Sequence, residues 1–94
     1  MAERVVERTL SDGGLSIHYR LERLGGDLLL TVTGGAAHVG CVVLATHRQS
    51  LTGSGADSAD SSVLNRSGHK DEFLLRALAE RLSAVAGCAV AAVG

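Results

Sequence analysis

The chain has 94 residues, 46% of them apolar, which is enough for one domain with one core and too little for two. Nine basic residues against ten acidic ones leave a formal charge of −1 with no basic block, and the aromatic side chains are Tyr19 and Phe73 alone. Such a chain lacks both the cationic footprint and the stacking platform of a nucleic-acid binder. Val, Leu and Ala must therefore fill the core, and a core of that kind is thin. Pairing with a second copy would cover an exposed sheet edge or apolar face, so a homodimer is expected.

The N-terminus, MAERVVERTL, is charged and lacks the apolar core of a signal peptide, and no run approaches the ~18 apolar residues of a membrane span. A cytoplasmic protein is expected. Arg4 to Leu10 and Leu15 to Leu24 flank Ser-Asp-Gly-Gly and read as the first two strands, with Asp12-Gly13 as the hairpin signal. In the second, Leu15, Ile17, Tyr19 and Leu21 alternate with Ser16, His18, Arg20 and Glu22, the period of a sheet with one wet face. The sheet should be mainly antiparallel.

Leu24-Gly25-Gly26-Asp27 makes the next turn, and Leu28 to Thr33 is the third strand. Gly34 to Ala37 connects it to a fourth, His38 to Thr46, whose two faces are both largely apolar. That strand is expected to be central and covered on both sides. Because sequential strands usually pair, the default topology is a four-stranded meander. From Ser50 to Ser62, ten of thirteen residues are Gly, Ser, Thr or Asp. A segment of that composition cannot offset its ordering entropy by apolar burial, so 50–62 reads as a flexible loop within the single domain 1–94. Order should return near Val63.

One long amphipathic helix is expected over Lys70 to Ala86, with Leu74, Leu78, Leu82 and Val85 at helical spacing and Gly87 closing it. Asp71 and Glu72 suit the positive end of its dipole. Cys88 to Val93 is a short fifth and last strand. The fold class is thus α+β: a mainly antiparallel sheet of about five strands, a meander of four, then the helix, then the fifth strand. Cys41 and Cys88 lie in apolar stretches without the close Cys or His pairing of a metal site, and read as small buried hydrophobes.

Two segments could carry chemistry. Gly34-Gly35 breaks the long apolar run between two β-branched stretches, with His38 and Gly40 just beyond, and glycines so placed either turn the backbone or admit a close neighbour. His38 would then be a donor or stacking group beside a ligand, or simply a histidine at a strand end. Arg66-Ser67-Gly68-His69-Lys70 sets cations, a histidine and a glycine at a helix N-terminus, where unpaired N–H groups favour an anion such as phosphate. The other reading is a solvated helix start capped by Ser67 or His69. His18 and His47 read as surface residues. No nucleophile has a base and orienter around it, so a non-enzymatic protein is expected.

Taken together, TVTGGAAHVGCVVLA, the segment Arg66-Ser67-Gly68-His69-Lys70-Asp71-Glu72 opening a helix, and a short strand after Gly87-Cys88 resemble the LpdD-like proteins. These are small chaperones of prenylated flavin that accompany UbiD-type decarboxylases, with a fold related to the proteasome assembly chaperones. The resemblance implies binding of prenylated FMN and its delivery to, or maturation in, a UbiD-type decarboxylase subunit. It assigns close backbone approach to Gly34, Gly35 and Gly40, the phosphate to Arg66, His69 and Lys70, and the isoalloxazine edge to His38. It also implies a turn and a short acidic helix after the last strand, where this chain stops at Gly94. The alternative is a protein-assembly or docking module, or an auxiliary decarboxylase subunit, that binds no small molecule.

Overall fold

The computed structural model describes residues 5–35, 37–49, 57–66 and 72–94. Six strands form one sheet: β1 (Val5–Asp12), β2 (Leu15–Leu24), β3 (Asp27–Gly34), β4 (Cys41–Gln49), β5 (Asp57–Asn65) and β6 (Val90–Val93). The helix α1 (Glu72–Ala86) precedes β6. Across the sheet the strand order is β1-β2-β3-β6-β4-β5, with every pair antiparallel except β3 and β6.

The two N-terminal hairpins close as their glycines dictate. Asp12 pairs with Leu15, so the loop residues are Gly13 and Gly14, both at positive φ (58° and 85°). That is the backbone of a type I′ turn, set one residue later than the Asp12-Gly13 reading. Leu24 pairs with Asp27 around Gly25-Gly26, where Gly25 alone takes a positive φ, 58°.

The meander fails at its third step. β3 and β4 do not touch, because β6 lies between them, parallel to β3 through Leu28↔Val90 and antiparallel to β4 through Val43↔Ala92. The sheet therefore has six strands instead of about five, and a mixed centre. The physical reason lies in β6 itself: Val-Ala-Ala-Val is apolar on both faces and small, which suits a strand hydrogen-bonded on both edges beneath a helix. The connection from Gly35 to Gly40 spans the gap of two strand spacings, about 10 Å, instead of closing a hairpin.

Strand β4 starts at Cys41, so His38, Val39 and Gly40 belong to the connection. Strand β5 takes in Asp57 to Ser62, which the composition had assigned to a loop; residues 50–56 lie outside the described ones. An edge strand gains its order from ladder hydrogen bonds and cross-strand pairs more than from burial. Here Arg48 Nε donates to Asp60 Oδ1 at 2.9 Å.

Helix α1 runs for 15 residues, with Lys70 and Asp71 outside the described residues. Gly87, at φ 68°, donates its N–H to the Ser83 carbonyl at 2.9 Å and ends the helix in the left-handed conformation. Ser83, fully buried, donates its hydroxyl to the Cys88 carbonyl at 2.6 Å. Asp27 Oδ1 then accepts the Ala89 N–H at 3.0 Å, steering the chain into β6 beside β3.

Leu75 and Ala79 of the helix close the core over Leu30, Val43, Val90 and Ala92. The helix packs on β4, β5 and β6. Its polar flank faces β5: Arg76 Nε donates to Ser61 Oγ at 3.0 Å and to Glu80 Oε2 at 3.1 Å, and Ser61 Oγ donates to Glu80 Oε2 at 2.6 Å. The Ser61 hydroxyl, with the Arg76 guanidinium behind it, holds the Glu80 carboxyl below its ordinary pKa against the opposing effect of desolvation. Strand β4 is covered on the helix side alone, since Leu44 on its other face is 49% exposed.

Candidate functional site

The antiparallel and parallel pairings bring seven element ends to one edge of the sheet. β1, β3, β5 and β6 finish there, while β2, β4 and α1 begin there. Both segments singled out in the sequence sit at this end.

Gly34 closes β3 opposite Ile17, and a Cβ on it would lie 3.4 Å from the Ser16 carbonyl oxygen. Gly35 adopts φ 63°, and a Cβ there would meet nothing within 4 Å. The chain leaves β3 in a left-handed turn whose outer side is open, a conformation that favours glycine. His38 and Val39 follow on the exposed connection, with Val39 53% exposed. Ala36 lies outside the described residues.

Gly40 is the pivot. Its carbonyl accepts the Arg66 N–H at 2.7 Å, and its own N–H donates to the Gly94 carbonyl at 2.8 Å. Cys41 donates to the same Gly94 oxygen at 2.7 Å and accepts the Gly94 N–H at 3.0 Å. The close approach that a glycine suggests at position 40 is thus made by the ends of β5 and β6, and both of its backbone groups are committed to them. Gly40 is itself buried beneath these contacts.

Arg66 continues the contact through its side chain, donating from Nη1 to the Val39 carbonyl at 3.3 Å. One of its five N–H donors is used in this way, which leaves the rest of the exposed guanidinium for an anion. Asn65 Nδ2 donates to Glu72 Oε1 at 2.9 Å, tying the end of β5 to the first turn of α1. That carboxylate already answers the positive end of the helix dipole. A phosphate at this end would therefore rely on the Arg66 side chain and the segment between Arg66 and Glu72. His69 and Lys70, read as phosphate ligands, are in that segment and lie outside the described residues.

Of the seven residues read as site residues, Gly40 and Arg66 are in direct hydrogen-bonded contact, and His38 is two residues from that contact. Gly34 and Gly35 share the same end, displaced by the width of the inserted β6. The part of β6 in building this end, through Gly94, was not read from the sequence. Its signal was the run Val90-Ala91-Ala92-Val93, whose uniform apolarity marks an internal strand.

The remaining histidines lie elsewhere. His18 is on the sheet face away from the helix, where its Nδ1 is 2.9 Å from Thr9 Oγ1 and its Nε2 is 3.4 Å from Glu7 Oε1. His47 is half-buried on β4. Cys41 and Cys88 stand at opposite ends of the central strands. No group of three or more His, Cys, Asp or Glu side chains among the described residues could hold a metal. No described helix is long and apolar enough to cross a membrane.

This arrangement suits an elongated ligand with an anionic end. The guanidinium of Arg66 provides charge, the Gly35 turn an open backbone bend, and Val39 beside His38 an apolar edge with a polar neighbour. No curated protein sequence matches the chain. The profile of the prenylated flavin chaperone LpdD-like domain matches residues 11–94, and on that match the chain belongs to the LpdD-like family of prenylated flavin chaperones.

Proposed function

We propose that this protein is a non-catalytic chaperone that binds prenylated flavin mononucleotide and hands it to a UbiD-type decarboxylase subunit in the cytoplasm, acting as a homodimer. The observation that carries the reading is the link between Arg66 and the 38–40 connection: backbone to Gly40 at 2.7 Å and side chain to Val39 at 3.3 Å. It joins the cationic segment to the glycine-histidine segment within one subunit, so a phosphate held by Arg66, with His69 and Lys70 following, leaves the ring to lie along His38 and Val39. Gly34 and Gly35 give the backbone turn beside it.

The cofactor supplies its own reactive chemistry in the decarboxylase; the chaperone's residues bind it, orient it and shield it. A carrier must also release its cargo. Binding by an exposed arginine and a glycine turn whose outer side is open is suited to transfer.

The test is an anaerobic titration with FMN and with reduced prenylated FMN, read by flavin fluorescence and thermal shift. Saturable binding is expected, with Arg66→Ala weakening it at least about tenfold through loss of a charge-assisted phosphate contact. No binding of either flavin, together with undiminished docking to the decarboxylase subunit, would replace this reading by that of an assembly module without a small-molecule ligand.

A further inference from the structure

The face of the sheet away from α1 has an apolar floor at its centre. Leu30, Cys41, Val43, Ala45, Val90 and Ala92 turn to the core beneath the helix. The alternation of side chains along a strand therefore sends Leu29, Thr31, Ala91, Val93, Val42 and Leu44 to the other face. The register sets these six in two rows, with Thr31, Val93 and Val42 across the first and Leu29, Ala91 and Leu44 across the second. Leu44 is 49% exposed and the other five are half-buried. Small and β-branched side chains on three neighbouring strands make that floor flat.

Charged and polar groups frame it. On the β2 side, Arg20 lies 3.6 Å from Glu7 Oε1 and 4.0 Å from Glu22 Oε1. On the β5 side stand Ser62 and the Arg48–Asp60 pair, with Leu64 beside Val42. Three strands wide and two same-face repeats deep, the floor measures about 14 Å each way, or about 200 Å². A standard protein interface takes roughly 800 Å² from each partner, so the framed area suits a small planar molecule and not a protein surface.

The rim at the Gly40–Arg66 end carries polar groups at both of its corners. Asn65 turns towards α1 through its bond to Glu72, so Arg66, the next residue, turns to the opposite face, and its N–H to the Gly40 carbonyl at 2.7 Å continues the β4–β5 ladder. Gly40 brings no side chain to that row, and the Arg66 guanidinium reaches the Val39 carbonyl at 3.3 Å. At the other corner, Thr33 and His18 pair across β3 and β2. His18 Nδ1 is 2.9 Å from Thr9 Oγ1, and the tautomer that accepts from Thr9 puts the ring proton on Nε2. Nε2 lies 3.4 Å from Glu7 Oε1, a long contact that a better-placed acceptor would displace. From Arg66 to Thr33 is three strand spacings, about 14 Å, and to His18 about 19 Å.

We infer that the flavin ring lies on this floor, with the phosphate at Arg66, the face of the ring on Val93, Val42 and Leu44, and its carbonyl-bearing edge towards Thr33 and His18. The inference rests on the flavin-binding reading above. It goes beyond that reading in assigning the ring to the bare face of the sheet, inward of the 38–40 connection, and in giving His18 a part in recognition.

The test is equilibrium binding to the full chain, under anaerobic conditions, of FMN, reduced prenylated FMN and riboflavin, which has the ring without the phosphate. Leu44→Glu is expected to weaken all three at least about tenfold by placing a carboxylate under the ring. His18→Ala is expected to weaken all three at least about threefold through loss of one hydrogen bond. Arg66→Ala should weaken the two phosphorylated flavins and leave riboflavin unchanged. Ser58→Glu, on the same face but outside the frame, should change nothing. Methyl NMR of the unsubstituted protein gives a reading that needs no variant to fold, since the ring current of bound FMN should move the Val42 and Val93 signals. Flavin binding that Arg66→Ala weakens, with those methyl signals unmoved and Leu44→Glu without effect, overturns the inference and leaves the flavin-binding reading in place. No binding of any of the three flavins overturns both.

Discussion

The two halves of the sheet both carry apolar residues on the helix side and end in different states. Under α1, strands β6, β4 and β5 use small side chains, and Ala45, Ala79, Ala92 and Val43 are fully buried. Beyond the helix, β1 and β2 carry larger apolar side chains, and Val6, Leu10 and Ile17 remain exposed. Small residues let a helix approach its own sheet closely; the larger ones of β1 and β2 stay beyond its reach. Apolar content therefore does not locate the core of this chain. The reach of a 15-residue helix does.

Truncation should separate the halves most sharply. Leu75→Ala, beneath the helix, removes a buried side chain and leaves a cavity, and is expected to cost about 2–5 kcal/mol in urea unfolding. Ile17→Ala in the open half should cost the dilute monomer under about 1 kcal/mol, because its side chain is already partly solvated. Equal costs at high dilution would mean that the two halves form one core, and would remove the distinction between them.

The same contrast explains what could be read in advance. Hairpins β1–β2 and β2–β3 are local, fixed by Gly13-Gly14 and Gly25-Gly26 and by the alternation in Leu15 to Leu24, so they were legible. The helix was legible for the same reason. The insertion of β6 was not, because strand order at the centre depends on contacts between segments about 60 residues apart, such as Leu28 with Val90, and adjacency in sequence says nothing about them. Strand β5 was hidden by composition: Asp57 to Ser62 is polar, yet it is held by β4 and by the Ser61–Glu80 contact. At the candidate site, the residue types at 34–40 and 66 were visible in the sequence. That Gly40 spends both backbone groups on β5 and β6 was not, since only the fold supplies those partners.

A smaller effect tests how the covered half is shut at its C-terminal end. Ser83 is fully buried and gives its hydroxyl to the Cys88 carbonyl at 2.6 Å, holding the turn that feeds β6 into the centre. Ser83→Ala keeps the volume nearly constant but leaves that acceptor without its donor, and should cost about 1–2 kcal/mol. Hydrogen exchange should show the loss in β6 and α1 with β1 and β2 unaffected. A uniform loss of protection would instead mean that both halves unfold as one unit.

The smallest effect concerns the polar flank that orients α1 over the covered half. Glu80 accepts from Ser61 and Arg76, and its folded pKa lies below the ordinary 4.5. A carboxyl whose pKa is depressed on folding adds stability above its unfolded pKa and loses it as pH falls through the folded value. The contribution is therefore full at neutral pH and disappears as the solution is acidified below about 4.5. With the side chain 34% exposed, solvent screening limits it to under about 1 kcal/mol. Glu80→Gln should accordingly be less stable than the parent at pH 7, and the difference should close on acidification. A difference that stays constant with pH would mean that the flank is held by shape and hydrogen bonding alone, and that the orientation of α1, with its apolar side turned to the open half, does not depend on charge.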